Sequence, residues 1–215
     1  MPRTNSSNRL LVFAKAPRPG AVKTLLIPVL GEEGAAALHA RLIKRTLATA
    51  RASGVGQVQL WCAPDTDDPF LRSCGDRYGI SLVAQCEGDL GKRMSHAFEQ
   101  TLASVPRAIL IGADCPALTA RHLRAADQLL AADVDAVLAP AEDGGYALIG
   151  LTRCDARLFD GMTWGTADVM KDTRERLSAL GWRWQELEPL WDVDRPEDYQ
   201  RLLASGLFDR PGIHA

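Results

Sequence analysis

Apolar residues along this chain fall into two alternating patterns. Short unbroken runs of strand length occur at 9–15 (RLLVFAK), 57–63 (QVQLWCA), 80–85 (ISLVAQ) and 107–113 (RAILIGA). Between them, apolar positions recur every three or four residues. The longest such stretch covers 32–53, where Leu38, Leu42, Leu47 and Ala50 share a face and Gly54 follows as a stop signal. Helices are also expected at 69–78, 91–104, 119–132, near 166–180 and at 196–205, with Thr119 suited to an N-cap and Pro196 to a first helical position. Later strands are expected at 134–141 (VDAVLAPA), 146–151 (YALIGL) and 182–188 (WRWQELE), and the Glu-Asp-Gly-Gly between the first two reads as a hairpin turn. Unbroken apolar strands alternating with amphipathic helices predict an α/β fold. A mostly parallel central sheet would be covered on both faces, with one antiparallel excursion.

Composition narrows this little. At 215 residues a single domain is expected over 9–215, after a short polar tail at 1–8 that reads as disordered. That tail lacks the apolar core of a secretory signal, and no run approaches the ~20 apolar residues of a membrane span. A formal charge of −2 argues against a protein built to coat nucleic acid or anionic membrane. Five cysteines (62, 74, 86, 115, 154) form no CxxC and are a poor disulfide framework, so reduced thiols in a cytoplasmic protein are expected. The four histidines (39, 96, 122, 214) form no HExxH pair, which argues against zinc chemistry.

In parallel sheets, ligands bind outside the carboxyl ends of the strands, so candidate chemistry is sought just after each run. After the first comes AKAPRPGAVKT. The glycines a Walker A loop requires fall on Pro17 and Val22, so it is not a P-loop. Still, Pro17 and Pro19 stiffen it, Gly20 permits a close turn, and Lys15 and Lys23 flank it, which suits a di- or triphosphate. After the fourth run comes Asp114, at the exposed end of the strand, where it caps nothing obvious because Thr119 already stands at the better cap position of the next helix. In WDVDRPED, Glu197 and Asp198 suit the first turn of a helix, but Asp192 and Asp194 precede it and, two apart in extended chain, project together. Side-by-side carboxylates are unfavourable unless neutralised. Asp114 converging with them would suit Mg²⁺. Arg93, in a helix first turn where cations oppose the dipole, suggests an anionic partner.

The motifs FAKAPRPGAVKT, GDLGKRM, IGADCPALT, APAEDGGYALIGL, WGT and DVDRPED, in order over about 9–203, resemble the DUF2064 family, also known as radical-SAM/selenodomain-associated transferase 1. That family lies within the nucleotide-diphospho-sugar transferase superfamily. The resemblance implies a GT-A-like (Rossmann-like) three-layer α/β/α sandwich. More distantly, the loop and acidic motifs look like those of CofC-type guanylyltransferases. By that likeness Lys15, Lys23 and Asp114 form the catalytic group. Asp114, Asp192 and Asp194 hold Mg²⁺ (or Mn²⁺). Nucleotide or substrate contacts fall on Ala14, Pro17, Gly20, Thr24, Gly91, Arg93, Asp143, Gly144, Gly145 and Trp164. One departure stands out: the family loop usually continues Lys-Thr-Arg-Leu, whereas Leu25 stands here in the arginine's place. A charge-assisted phosphate contact worth roughly 1.5–3 kcal/mol is thereby missing unless Arg18 or Arg93 substitutes.

Three functions follow as expectations. The first is a Mg²⁺-dependent nucleotidyltransferase joining an NMP from an NTP to a small phosphorylated or acidic acceptor, with release of pyrophosphate. The second is a glycosyltransferase using a nucleotide-sugar, with Glu142 or Asp143 as base. The third is a non-catalytic nucleotide-binding module. In each, the partners are a nucleotide and small molecules, with no nucleic acid or membrane; base, acceptor and oligomeric state stay open.

Overall fold

The structure, a computed structural model, describes residues 8–208. The tail expected at 1–7 lies outside the described residues. Asn8 does not belong to it, because the first strand already begins there and buries it.

Among the described residues seven strands and six α-helices follow one another, first β1 (Asn8–Lys15), α1 (Ile27–Ser53), β2 (Gln57–Ala63), α2 (Pro69–Tyr78), β3 (Ser81–Ala84), α3 (Leu90–Leu102) and β4 (Arg107–Ile111). After these come α4 (Ala120–Ala131), β5 (Ala136–Pro140), β6 (Tyr146–Leu151), α5 (Val169–Ala179), β7 (Trp184–Glu186) and α6 (Pro196–Ala204). One sheet has the order β3-β2-β1-β4-β6-β5-β7. All its pairings are parallel except those of β6, which runs antiparallel to β4 and β5. The Asp-Gly-Gly hairpin is therefore the antiparallel excursion, and β6 inserts between β4 and β5.

Alternation along β1 divides the core. Leu10 and Val12 face a cluster with Ile43 and Leu47 of α1, Leu71 of α2 and Leu123 of α4. Leu11 and Phe13 face the other side, with Trp61, Met94 and Phe98 of α3 and Leu177 of α5. Both faces are covered, giving the three-layer sandwich. A third cluster joins Leu38 and Leu42 of α1 to Val193 and to Leu202 of α6. It fixes the segment carrying Asp192 and Asp194 against α1.

Boundaries differ from the sequence pattern at three points that matter for the site. Helical structure begins at Ile27, but Gly31 (φ 70°, ψ 169°) breaks the helix, so its regular part starts at Glu32 as the periodicity predicts. Helix α5 starts at Val169, which leaves 163–168 as a loop around Trp164. β7 is only three residues long. Among the described residues all five cysteines are free, and no helix is long and apolar enough to cross a membrane.

Candidate active site

On either side of the β1–β4 pair the sheet grows in opposite directions, which makes their carboxyl ends the crevice where such sheets take ligands. Three segments meet there: the loop after β1, Asp114 after β4, and the chain leading into α6. The last is tied in directly, since the backbone N–H of Val193 donates to the carbonyl of Asp114 at 3.0 Å. Asp192 and Asp194 therefore flank the residue that anchors their segment. Asp198 acts as expected in capping α6: its carboxylate accepts from the backbone N–H of Arg195 at 2.8 Å and of Asp194 at 3.2 Å.

The side chain of Lys23 is 3% exposed, and its Nζ lies 2.5 Å from Oδ1 of Asp114 and 2.8 Å from Oδ1 of Asp194. The two carboxylate oxygens are thus no farther apart than those two contacts laid end to end. Burial alone would depress the Lys23 ammonium, but Asp114 and Asp194 outweigh it and hold its pKa above the usual value. Burial likewise works against the Asp114 anion. The Lys23 ammonium overrides it and keeps this carboxyl far below the ordinary carboxylate range. Lys23 takes this place through a left-handed backbone (φ 48°, ψ 43°), a conformation costing a non-glycine residue roughly 1–2 kcal/mol. Strain of this kind persists where surrounding contacts over-determine it.

The two lysines that flank the loop take different places. Lys23 sits among them as their counter-ion, while Lys15 is exposed and donates to the carbonyl of Ala21 at 2.8 Å, bracing the loop. Leu25, which stands where the family loop has arginine, is 59% exposed. Arg18 turns to Asp68, the cap of α2, at 3.4 Å. Arg93 donates from Nε to the Gly88 carbonyl at 2.9 Å.

Beside the acids lies a cleft of about 300 Å³. Phe13, Met94, Tyr146 and Trp164 form its apolar walls, and Asp114, Asp143 and Asp192 stand at its edge. Trp164 crosses Tyr146 edge-on with ring centroids 6.4 Å apart. Gly91 is needed beneath that indole, because a Cβ there would come 2.8 Å from Nε1 of Trp164. Gly145 lines the cleft, and its N–H donates to Asp143 Oδ1 at 2.9 Å. Gly144 instead packs on the loop carrying Trp164: at φ 93° a Cβ would fall 2.2 Å from the carbonyl oxygen of Ala167. We expect Gly144→Ala to cost about 2–3 kcal/mol, a Tm fall of roughly 5–10 °C measured by calorimetry.

Of the remaining loop positions, Ala14 is buried in the sheet core, Pro17 is half-buried, and Gly20 (φ 74°) turns the chain against the Glu32 carboxylate. Thr24 is exposed at the start of a short 3-10 turn. Glu142 is held by a two-pronged contact to Arg201 at 2.7 and 3.1 Å, so it is not a free base. Cys115 reaches the cleft, but burial pushes its thiol up to about 12 and its S–H points to the carbonyl of Trp191, which disqualifies it as a nucleophile.

Asp192 differs from the other acids. Burial, then the charges of Asp143 and Asp194, push its pKa up to about 6. An acid with a raised pKa binds an extra proton in the folded state across the window between its unfolded and folded values. Stability from this group is therefore undiminished near pH 4, falls as pH rises, and is fully lost above about 6. Asp192→Asn should raise Tm at pH 8 by about 2–4 °C, corresponding to ~1 kcal/mol after solvent screening, and leave it unchanged at pH 4.

Among the described residues, no three histidine, cysteine or acidic groups stand in an arrangement ready to hold a metal ion. The donor chemistry nevertheless fits a hard divalent cation. Asp114 and Asp194 already share one cation, the Lys23 ammonium, and Asp192 beside them carries charge that nothing offsets fully.

One residue of this site escaped the sequence pattern. His39, on the buried face of α1 and 5% exposed, places Nε2 3.0 Å from the carbonyl of Lys15 and Nδ1 3.6 Å from Asp114 Oδ1. A histidine interrupting the apolar face of the helix that follows the loop was the available signal.

Comparison with known families matches residues 46–166 to the model for uncharacterized proteins conserved in bacteria (DUF2064). Comparison with curated proteins finds no match. Among solved structures, a provisionally named nucleotide-diphospho-sugar transferase from Desulfovibrio desulfuricans G20 is 31% identical, with TM-score 0.87 over 97% of this chain and 93% of its own. CMP:2-keto-3-deoxy-manno-octonic acid synthetase complexed with CTP aligns at TM-score 0.59 and 12% identity, over 94% of this chain and 99% of its own. Glucosyl-3-phosphoglycerate synthase from Mycobacterium tuberculosis, in complex with Mn²⁺, UDP and glucosyl-3-phosphoglycerate, aligns at 0.54 and 10%, over 94% and 77%. The last two likenesses establish the GT-A-like fold and nothing finer.

Proposed function

From the premise that this chain belongs to the DUF2064 family, we propose that it is a cation-assisted transferase acting on a nucleotide, and specifically a nucleotidyltransferase. The observation that carries this reading is the meeting of Asp114 and Asp194 on one cationic position, with Asp192 beside it and an open cleft adjoining. An oxygen of a phosphorylated acceptor would attack the α-phosphorus of an NTP, and the bond to the β-phosphate would break, releasing pyrophosphate. An ionised phosphate nucleophile needs no general base, so the lack of a poised one is no obstacle. A divalent cation, when bound by Asp114, Asp192 and Asp194, supplies neutralisation of the phosphate charge. Lys23, freed from the acids, and Lys15 would stabilise the leaving pyrophosphate. The apolar walls at Phe13, Tyr146 and Trp164 would seat the organic part of a substrate and exclude water. Positioning and charge stabilisation carry the rate in such transfers.

Glycosyl transfer from a nucleotide-sugar is the second reading, and one observation favours it. With Leu25 in place of arginine and Lys23 engaged with two acids, the loop ammonium outside an ion pair is that of Lys15, held by the Ala21 carbonyl, which suits a diphosphate better than a triphosphate. One panel separates the two: NTPs with phosphorylated acceptors, and sugar nucleotides with hydroxylated acceptors, each with Mg²⁺ or Mn²⁺. Release of pyrophosphate supports nucleotidyl transfer; release of NDP supports glycosyl transfer. Neither product from any donor would contradict both.

A further inference from the structure

His39 is buried at the junction of three elements: it belongs to α1, touches the last residue of β1, and faces Asp114 after β4. A carbonyl oxygen can only accept, so the 3.0 Å contact to Lys15 O fixes Nε2 as the protonated nitrogen. In the neutral ring Nδ1 is then an acceptor. It is buried, has no hydrogen-bond partner, and lies 3.6 Å from the very Asp114 oxygen that Lys23 contacts. That separation is too long for a hydrogen bond. A lone pair turned toward a carboxylate is unfavourable unless a cation stands between them. One imidazole nitrogen anchored on a backbone carbonyl, with the other bare beside a carboxylate, is the outer arrangement that metal-binding histidines use. Two ligands at about 2.1 Å from one ion can span such a gap.

We propose that His39 Nδ1 is a nitrogen ligand of the cation that Asp114 binds. This inference rests on the cation-assisted reading above and sharpens it, because a mixed nitrogen and oxygen set favours Mn²⁺ over Mg²⁺. His39 moreover ties the cation to the loop: Lys15, whose carbonyl orients the ring, carries the ammonium meant for the phosphates.

The test uses the untagged full-length protein and Mn²⁺ alone. Loss of the free-ion EPR signal measures binding, and electron spin-echo modulation detects a directly bound ¹⁴N. The expected result is binding with imidazole ¹⁴N modulation in the wild type. In His39→Gln the modulation is absent, the Mn²⁺ dissociation constant rises about tenfold, and the preference for Mn²⁺ over Mg²⁺ shrinks. Binding without ¹⁴N modulation, as a doubly protonated ring paired with Asp114 would give, overturns the His39 assignment and leaves the transferase reading standing. Modulation that persists in His39→Gln overturns it equally. No Mn²⁺ binding at all removes both. The wild-type spectrum decides the matter even if the variant is unstable.

Discussion

Asp114→Asn is expected to lower turnover by about a thousandfold while the protein stays folded. The asparagine keeps the shape of the aspartate at the end of β4, and the backbone carbonyl that anchors Val193 is untouched. What it removes is the charge to which Lys23 is paired and on which a divalent cation would depend. Removing one preorganised electrostatic partner from a transferase site costs about 3–4 kcal/mol in transition-state stabilisation, or two to three decades in rate. Lys23 then has Asp194 as its remaining ion-pair partner, and Tm should fall by only a few degrees, because both acids are about half exposed. Single-turnover kinetics with the active donor, read beside a thermal melt, separates the chemical loss from the structural one. A variant with unimpaired turnover would remove Asp114 from the reaction.

Lys23→Met should have two opposite effects, which makes it the sharper probe. The ammonium now occupies the position between Asp114 and Asp194 that a cation would need. Methionine keeps much of the buried stem but removes the competitor, so Mn²⁺ affinity without nucleotide is expected to rise at least tenfold, worth about 1.4 kcal/mol or more. Without added cation the same variant leaves the carboxylates unbalanced and should lose about 1–3 kcal/mol of stability, short of the 3–5 kcal/mol for a fully buried pair because water reaches both acids. Mn²⁺ should restore the loss. Turnover should still drop by about a hundredfold, since no ammonium remains to take up charge on the leaving group. Calorimetric titration and melts with and without Mn²⁺ read these effects. A fall in Mn²⁺ affinity would mean that Lys23 supports cation binding instead of standing in for it.

Much of the architecture was legible from periodicity alone. Unbroken apolar strands are what a sheet buried on both faces requires, and β1, β2 and β4 have that character and occupy the middle of the sheet. The turn signal in Glu-Asp-Gly-Gly located the antiparallel excursion. The place of β6 between β4 and β5 is a long-range pairing that no local pattern reports. Short β3 and β7, at the sheet edges, have the weakest apolar signal and the least certain ends for the same reason.

At the site, the meeting of Asp114 with the Asp192–Asp194 segment followed from where acids stood relative to strand ends. The direction of Lys23 did not follow. It depends on a left-handed backbone at a residue with a Cβ, which local propensity disfavours and which ion pairs formed only in the folded chain offset. Arg93 is instructive in another way. The helix dipole argued for an anion, while no sequence pattern reported that the Gly88 carbonyl would accept from the arginine Nε. His39 was hidden because a helical pattern treats each position on the buried face as packing, and only coordinates reveal that this one looks onto Asp114.

The most direct measurement is a crystal structure of the protein with Mn²⁺ and a non-hydrolysable NTP. The account predicts the cation on Asp114 and at least one of Asp192 and Asp194, with Lys23 withdrawn from between the acids and turned to the phosphates. A cation seated elsewhere, with Lys23 still bridging Asp114 and Asp194, would contradict it.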